Sequence, residues 1–222
     1  LNIDGTKQLD ASNNPIATYD QSTIANFAKV FTGWTNAPTT PGGQVVWGAY
    51  INPNAPMVPY DPMHDTTQKT LLQYTAPAGV LTTLPAGQSA QTDLNEAIDN
   101  IFNHPNVGPF LAKQLIQKLV TSNPSPAYVQ RVAEKFNNDG TGVRGNLAAV
   151  IKAILLDTEA RSVATGSAAA RAGKVKEPLL RVTQFWRAYN VNSASGKLGV
   201  QRNFIGTASN TFGQGPQQAA SV

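Results

Sequence analysis

Cysteine is absent from the 222 residues of the chain. That excludes a thiolate zinc site, a cysteine nucleophile and a disulfide framework. Histidine is nearly absent: two residues, His64 and His104, cannot supply a three-histidine metal site. Charge is scarce as well, at 14% of residues, roughly half the usual share, so a charge-driven disordered chain is excluded. No run of about 18 apolar residues occurs, and with it a membrane span is excluded. The most apolar stretch, Leu147 to Leu156, is broken by Lys152 and reads as a core helix. Polarity comes instead from 19 Asn and 15 Gln, together more than the 30 charged side chains.

The net charge of +4 conceals an asymmetry. Residues 1–100 carry three basic and eight acidic groups, a balance of −5, and residues 101–222 carry fourteen and five, a balance of +9. A basic half can contact nucleic acid or another anionic surface, or can face a different part of the same protein. The chain starts at Leu1 without Met or an apolar signal core, and Thr207 to Val222 ends without a capping pattern. Both ends read as cuts inside something longer.

The spacing predicts a mainly α, bundle-like domain of five to six helices carrying a Pro/Gly-rich, partly β insertion with a short hairpin. One incomplete domain is expected: a loop and helix over 1–35, the insertion over 36–88, a helical core over 89–190 and an irregular tail over 191–222. Asp20 is suited to cap a helix whose buried face is Ile24, Phe27, Ala28 and Phe31, with Gly33 beyond its end. Between 36 and 63, nine Pro and Gly residues forbid a long helix. Gln44–Ile51 and Lys69–Tyr74 remain as strand candidates.

The helical half carries clearer signals. Asp93 and Glu96 have capping-box spacing, and Leu94, Ala97, Ile98, Ile101 and Phe102 follow as one face. Leu111, Ala112, Leu115, Ile116 and Leu119 make the next stripe, entered through Pro109. Ser125-Pro126 opens a helix lined by Tyr128, Val129, Val132, Ala133 and Phe136. Asn146 is placed to cap another, with Leu147, Val150, Ile151, Ile154 and Leu155 inward. Pro178 opens the last, with Leu179, Val182, Phe185, Trp186 and Tyr189 on its apolar side.

Three places offer chemistry. In Asp61-Pro62-Met63-His64-Asp65 an imidazole lies next to carboxylates, so His64 and Asp65 are the catalytic candidates, as a general base and its orienting partner. With His104 they are also the candidate ligands of a divalent metal, which would need further ligands from outside. The competing reading is a loop whose Asp and His cap backbone groups. Lys69, four residues beyond Asp65, is placed to pair with it, and His104 lies at a helix end where it can meet an orphan carbonyl. The stretch Asn137-Asn138-Asp139-Gly140-Thr141-Gly142 is not a calcium loop, because its twelfth position is Ala148 rather than Glu. Finally, Arg171, Lys174, Lys176, Arg181 and Arg187 form a basic patch beside Phe185 and Trp186, the composition of a single-strand nucleic-acid surface. The aromatics fall on a stripe expected to be buried, which argues against nucleic acid.

Several motifs together resemble one family. They are Phe31-Thr32-Gly33-Trp34; His64-Asp65 with Lys69; Ile101-Phe102-Asn103-His104-Pro105 running into Pro109 to Ile116; Lys174 to Arg181; and Gly215-Pro216 to Val222. They resemble the large exported bacterial family known as domain of unknown function 1800, over nearly the whole chain. The resemblance implies the central to C-terminal part of a longer, periplasmic or extracellular domain. It also implies an upstream signal sequence and a helical region with Trp-His-Asn-His-like and Glu-Leu-x-x-Leu-His-like motifs, neither of which occurs in this chain. The expected function is a helical binding or scaffold module, partnered by flanking segments of the same protein or by another exported protein. The alternatives are a metal-dependent, hydrolase-like enzyme completed by those upstream His and Glu residues, and nucleic-acid binding through residues 161–187.

Overall fold

The computed structural model describes residues 1–49, 52–163, 165, 169, 173, 174 and 176–194. The chain divides into two compact units, Lys7–Val107 and Leu1–Thr6 with Gly108–Val222. The helix expected to open the helical core therefore belongs with the Pro/Gly-rich region instead. The fold is mainly α, with two small antiparallel ribbons.

In the first unit, α1 (Gln21–Val30) starts where Asp20 accepts a hydrogen bond from Thr23 N. The strand β1 (Trp34–Thr35) pairs with β2 (Val58–Pro59) in the register Trp34↔Pro59. A 3₁₀ turn, Asp61–Met63, leads to β3 (Lys69–Thr70), which pairs with β4 (Thr83–Leu84) in the register Lys69↔Leu84. Then α2 (Ala90–Asn103) begins at Ser89, whose hydroxyl accepts from Thr92 N. Val30, Leu71, Leu84 and Ala97 form the apolar core of this unit, with Phe27 packed against them.

Several expectations are corrected here. The described part of the Gln44–Ile51 candidate, 44–49, is irregular with a turn, and β3 finds its partner in β4. Ser89 caps α2, so Asp93 and Glu96 form no capping box; Glu96 instead accepts from Gln88 Nε2. The inward residue of α1 is Val30, while Ile24 and Phe31 are exposed. Most consequential is α2, which buries Ala90, Asp93, Ala97 and Asn100 and exposes Ile98, Ile101 and Phe102. Its rotation is set by polar demand. Asn100 accepts from Leu72 N and donates to Leu72 O and Leu81 O, completing loop backbone that no strand would satisfy.

The second unit contains α3 (Val107–Leu119, whose first residue lies at the boundary), α4 (Pro126–Asn137), α5 (Leu147–Leu156), α6 (Thr158–Arg161) and α7 (Pro178–Ala188). All five expected α4 residues are buried, and α4 packs on α5, whose Val150 and Ile154 are buried. Tyr128 closes the layer by donating to Ile154 O at 2.6 Å, and burial pushes its hydroxyl up to about 12. Ser125 and Asn146 act as the predicted caps. A bidentate pair of Arg131 with Asp157 spans α4 and the start of α6, and the guanidinium holds that carboxyl below its ordinary range. Leu119, Leu147, Ile151 and Leu155 are exposed rather than inward.

Candidate functional site

His64 follows the 3₁₀ turn and lies against the close of α1. Gly33, at φ +75°, lets the chain pass so near that a Cβ there would meet His64 N at 2.9 Å. Thr32 binds the segment in three ways. Its carbonyl oxygen is 3.0 Å from His64 Nδ1, its hydroxyl oxygen is 3.2 Å from the same nitrogen, and that oxygen accepts from Asp65 N at 2.8 Å.

On the other side of the ring, His64 Nε2 meets Asp93 Oδ2 at 3.0 Å. The same oxygen receives Lys69 Nζ at 2.6 Å. Lys69 also donates to the backbone oxygens of Asp65 and Thr67. All three side chains are sealed, His64 and Asp93 at 0% and Lys69 at 1% exposure. Asp93 Oδ1 is buried without a partner. Lys69 thus reaches Asp65 through its backbone, and its ionic partner is Asp93. Nearby, Asp61 Oδ1 accepts from Ala90 N and fastens the 3₁₀ turn to the start of α2.

The Asp65 carboxylate turns outward. Its Oδ1 accepts from the Thr67 hydroxyl and Thr67 N, which hold it below its ordinary range, and its Oδ2 lies 3.9 Å from Lys29 Nζ. His104 terminates α2: its backbone N–H bonds Ile101 O, its Nδ1 accepts from Asn106 N, and its ring meets Tyr74 edge-on at 4.8 Å. Asp93, the partner of His64, precedes His104 by eleven residues, about 16 Å along a helix. The two imidazoles therefore belong to opposite ends of α2. Among the described residues no group of three or more His, Asp or Glu side chains could hold a metal ion.

Thr32, Asp93 and Asn100 are the residues that sequence reasoning missed. The available signal was the polar-and-small stripe Ala90, Asp93, Ala97 and Asn100, which has helical spacing and competes with the larger apolar stripe. In the basic patch, Lys174 donates to Lys118 O and Lys176 to Gln184 Oε1. Arg181 and Arg187 are exposed, and Arg171 lies outside the described residues. Phe185 and Tyr189, expected inside, are 57% and 71% exposed and lie 4.6 Å apart.

These features define a mainly α protein whose loop region is locked by a sealed His–Asp–Lys cluster. The chain belongs to the family described as protein of unknown function (DUF1800), which matches residues 9–222. No curated protein and no solved structure matches it. No described helix is long and apolar enough to cross a membrane.

Proposed function

We propose that the chain is an exported binding or scaffold module that presents apolar helix faces to a protein segment. The observation that carries this reading is the inversion of α2. Its polar residues Asp93 and Asn100 are buried in the scaffold, while Ile98, Ile101 and Phe102 are 52%, 42% and 38% exposed. In the other unit, Leu147, Ile151 and Leu155 of α5 are likewise exposed. The His64 cluster supports the same reading, because a sealed imidazole engaged at both nitrogens offers a substrate no access.

Elemental analysis of the purified protein separates this reading from the metal-dependent one. No stoichiometric divalent ion is expected in the wild type; an ion that is present and lost in His64→Ala would overturn the scaffold reading. A second reading, an anionic single strand on α7, draws on the exposed Phe185–Tyr189 pair beside Arg181 and Arg187. It requires binding of an oligonucleotide that weakens steeply with salt and is lost in Arg181→Ala with Arg187→Ala.

A further inference from the structure

The neighbours of His64 fix how many protons it holds. Nδ1 faces the Thr32 carbonyl oxygen, which can only accept. The Thr32 hydroxyl commits its single hydrogen to Lys29 O at 2.6 Å, so toward Nδ1 it too can only accept. Nδ1 therefore carries a hydrogen. Across the ring, Nε2 faces Asp93 Oδ2. Lys69 Nζ is surrounded by three acceptors, Asp93 Oδ2, Asp65 O and Thr67 O, and uses all three hydrogens of an ammonium group. A neutral imidazole protonated on Nδ1 would set a lone pair against the carboxylate. The 3.0 Å contact is a hydrogen bond only if one more proton lies between Nε2 and Oδ2. With the Lys69 ammonium on that same oxygen, the proton resides on the imidazole, which becomes a second cation shared by one carboxylate.

We propose that His64 is a structural imidazolium and that its proton operates a latch, fastening residues 61–70 to the end of α1 through Thr32 and to α2 through Asp93. The charged groups around it are Lys29 from α1, Asp61, Asp65 and Lys69 from the latched segment, and Asp93 from α2. Imidazole is the side chain among these types whose ordinary titration lies near neutrality. Loss of the proton turns the Nε2–Oδ2 hydrogen bond into a lone-pair repulsion inside a sealed cluster. Asp93 is poorly placed to absorb it, since its Oδ1 already lacks a partner. The folded chain then holds a proton that the unfolded chain releases above the ordinary imidazole range, so raising the pH opens the latch. This inference does not depend on the scaffold reading.

Nitrogen-15 spectra of histidine-labelled protein test it without any substitution, since only two imidazoles are present and His104→Gln assigns them. At about pH 7 both ring nitrogens of His64 are expected to be protonated; an unprotonated nitrogen on that ring overturns the proposal. Unfolding measured against pH supplies the functional readout. Above the ordinary imidazole range the folding equilibrium constant of the wild type should fall by up to about tenfold per pH unit, and that of His64→Gln should stay flat. A flat wild-type profile, or the same fall in His64→Gln, overturns it.

Discussion

Lys69 Nζ and Asp93 Oδ2 lie 2.6 Å apart in a site sealed from solvent, joining β3 to the first turns of α2. A buried pair of this kind contributes little net stability when complete, yet removal of one partner strands a charge. Asp93→Asn is therefore expected to lose about 3–5 kcal/mol of unfolding free energy. Replacing both partners, Lys69→Met with Asp93→Leu, should lose less than Asp93→Asn alone. Urea denaturation of the three proteins checks this, and a double variant as damaged as the single one would refute the pairing.

Asn100 has a different task, since it satisfies loop backbone rather than a charge. Asn100→Leu leaves Leu72 N, Leu72 O and Leu81 O without that partner. At about 1–3 kcal/mol for each buried unsatisfied group, a total loss above about 2 kcal/mol is expected. Ile98→Lys, two residues earlier and on the opposite, exposed side of the helix, should change stability by less than about 0.5 kcal/mol. Thermal unfolding of the two variants distinguishes a polar-inside α2 from the apolar-inside one suggested by its sequence.

Gly33 is required twice, by its positive φ and by its approach to His64. Gly33→Ala is expected to lose more than about 1–2 kcal/mol, the left-handed strain alone, because the methyl group also meets the backbone of residue 64. Amide spectra should place the largest shifts at 63–65. Shifts confined to 32–35 would contradict the close approach.

The Asp20 carboxylate gives an acid-side signature. Its backbone hydrogen bond from Thr23, together with the Ser22 and Thr23 hydroxyls, lowers it from 3.8 to about 2 in the folded chain. The folded value is the depressed one, so its contribution is complete above about pH 4 and disappears as the pH falls toward 2. Asp20→Ala should remove that part of the acid sensitivity while leaving the profile above pH 4 parallel to wild type. Helicity followed by circular dichroism through an acid titration reads the difference.

Much of the helical scaffold was legible because its signals are local. Ser125-Pro126, Asn146 and Asp20 mark helix starts through hydrogen bonds to residues two or three positions away, so sequence adjacency suffices. The α4 stripe was legible for the same reason, since one face is both the most apolar and the one covered by α5. The candidate site was legible only by half. His64, Asp65 and Lys69 stand out as a cluster, but their partner Asp93 lies 24 residues beyond Lys69 and resembled a capping residue.

The sequence alone determined helix positions, the short-stranded character of the Pro/Gly-rich region, and the family to which the chain belongs. Tertiary structure decided which way the helices face and what each ionisable group touches. The apolar pattern of α2 points to Ile98, Ile101 and Phe102, yet the loop region that packs on it brings an ammonium, an imidazole and unpaired backbone. Leaving such groups buried without partners would cost more than exposing three apolar side chains, so the polar stripe turned inward. That balance depends on contacts between residues 24 to 32 positions apart, and no local pattern encodes it.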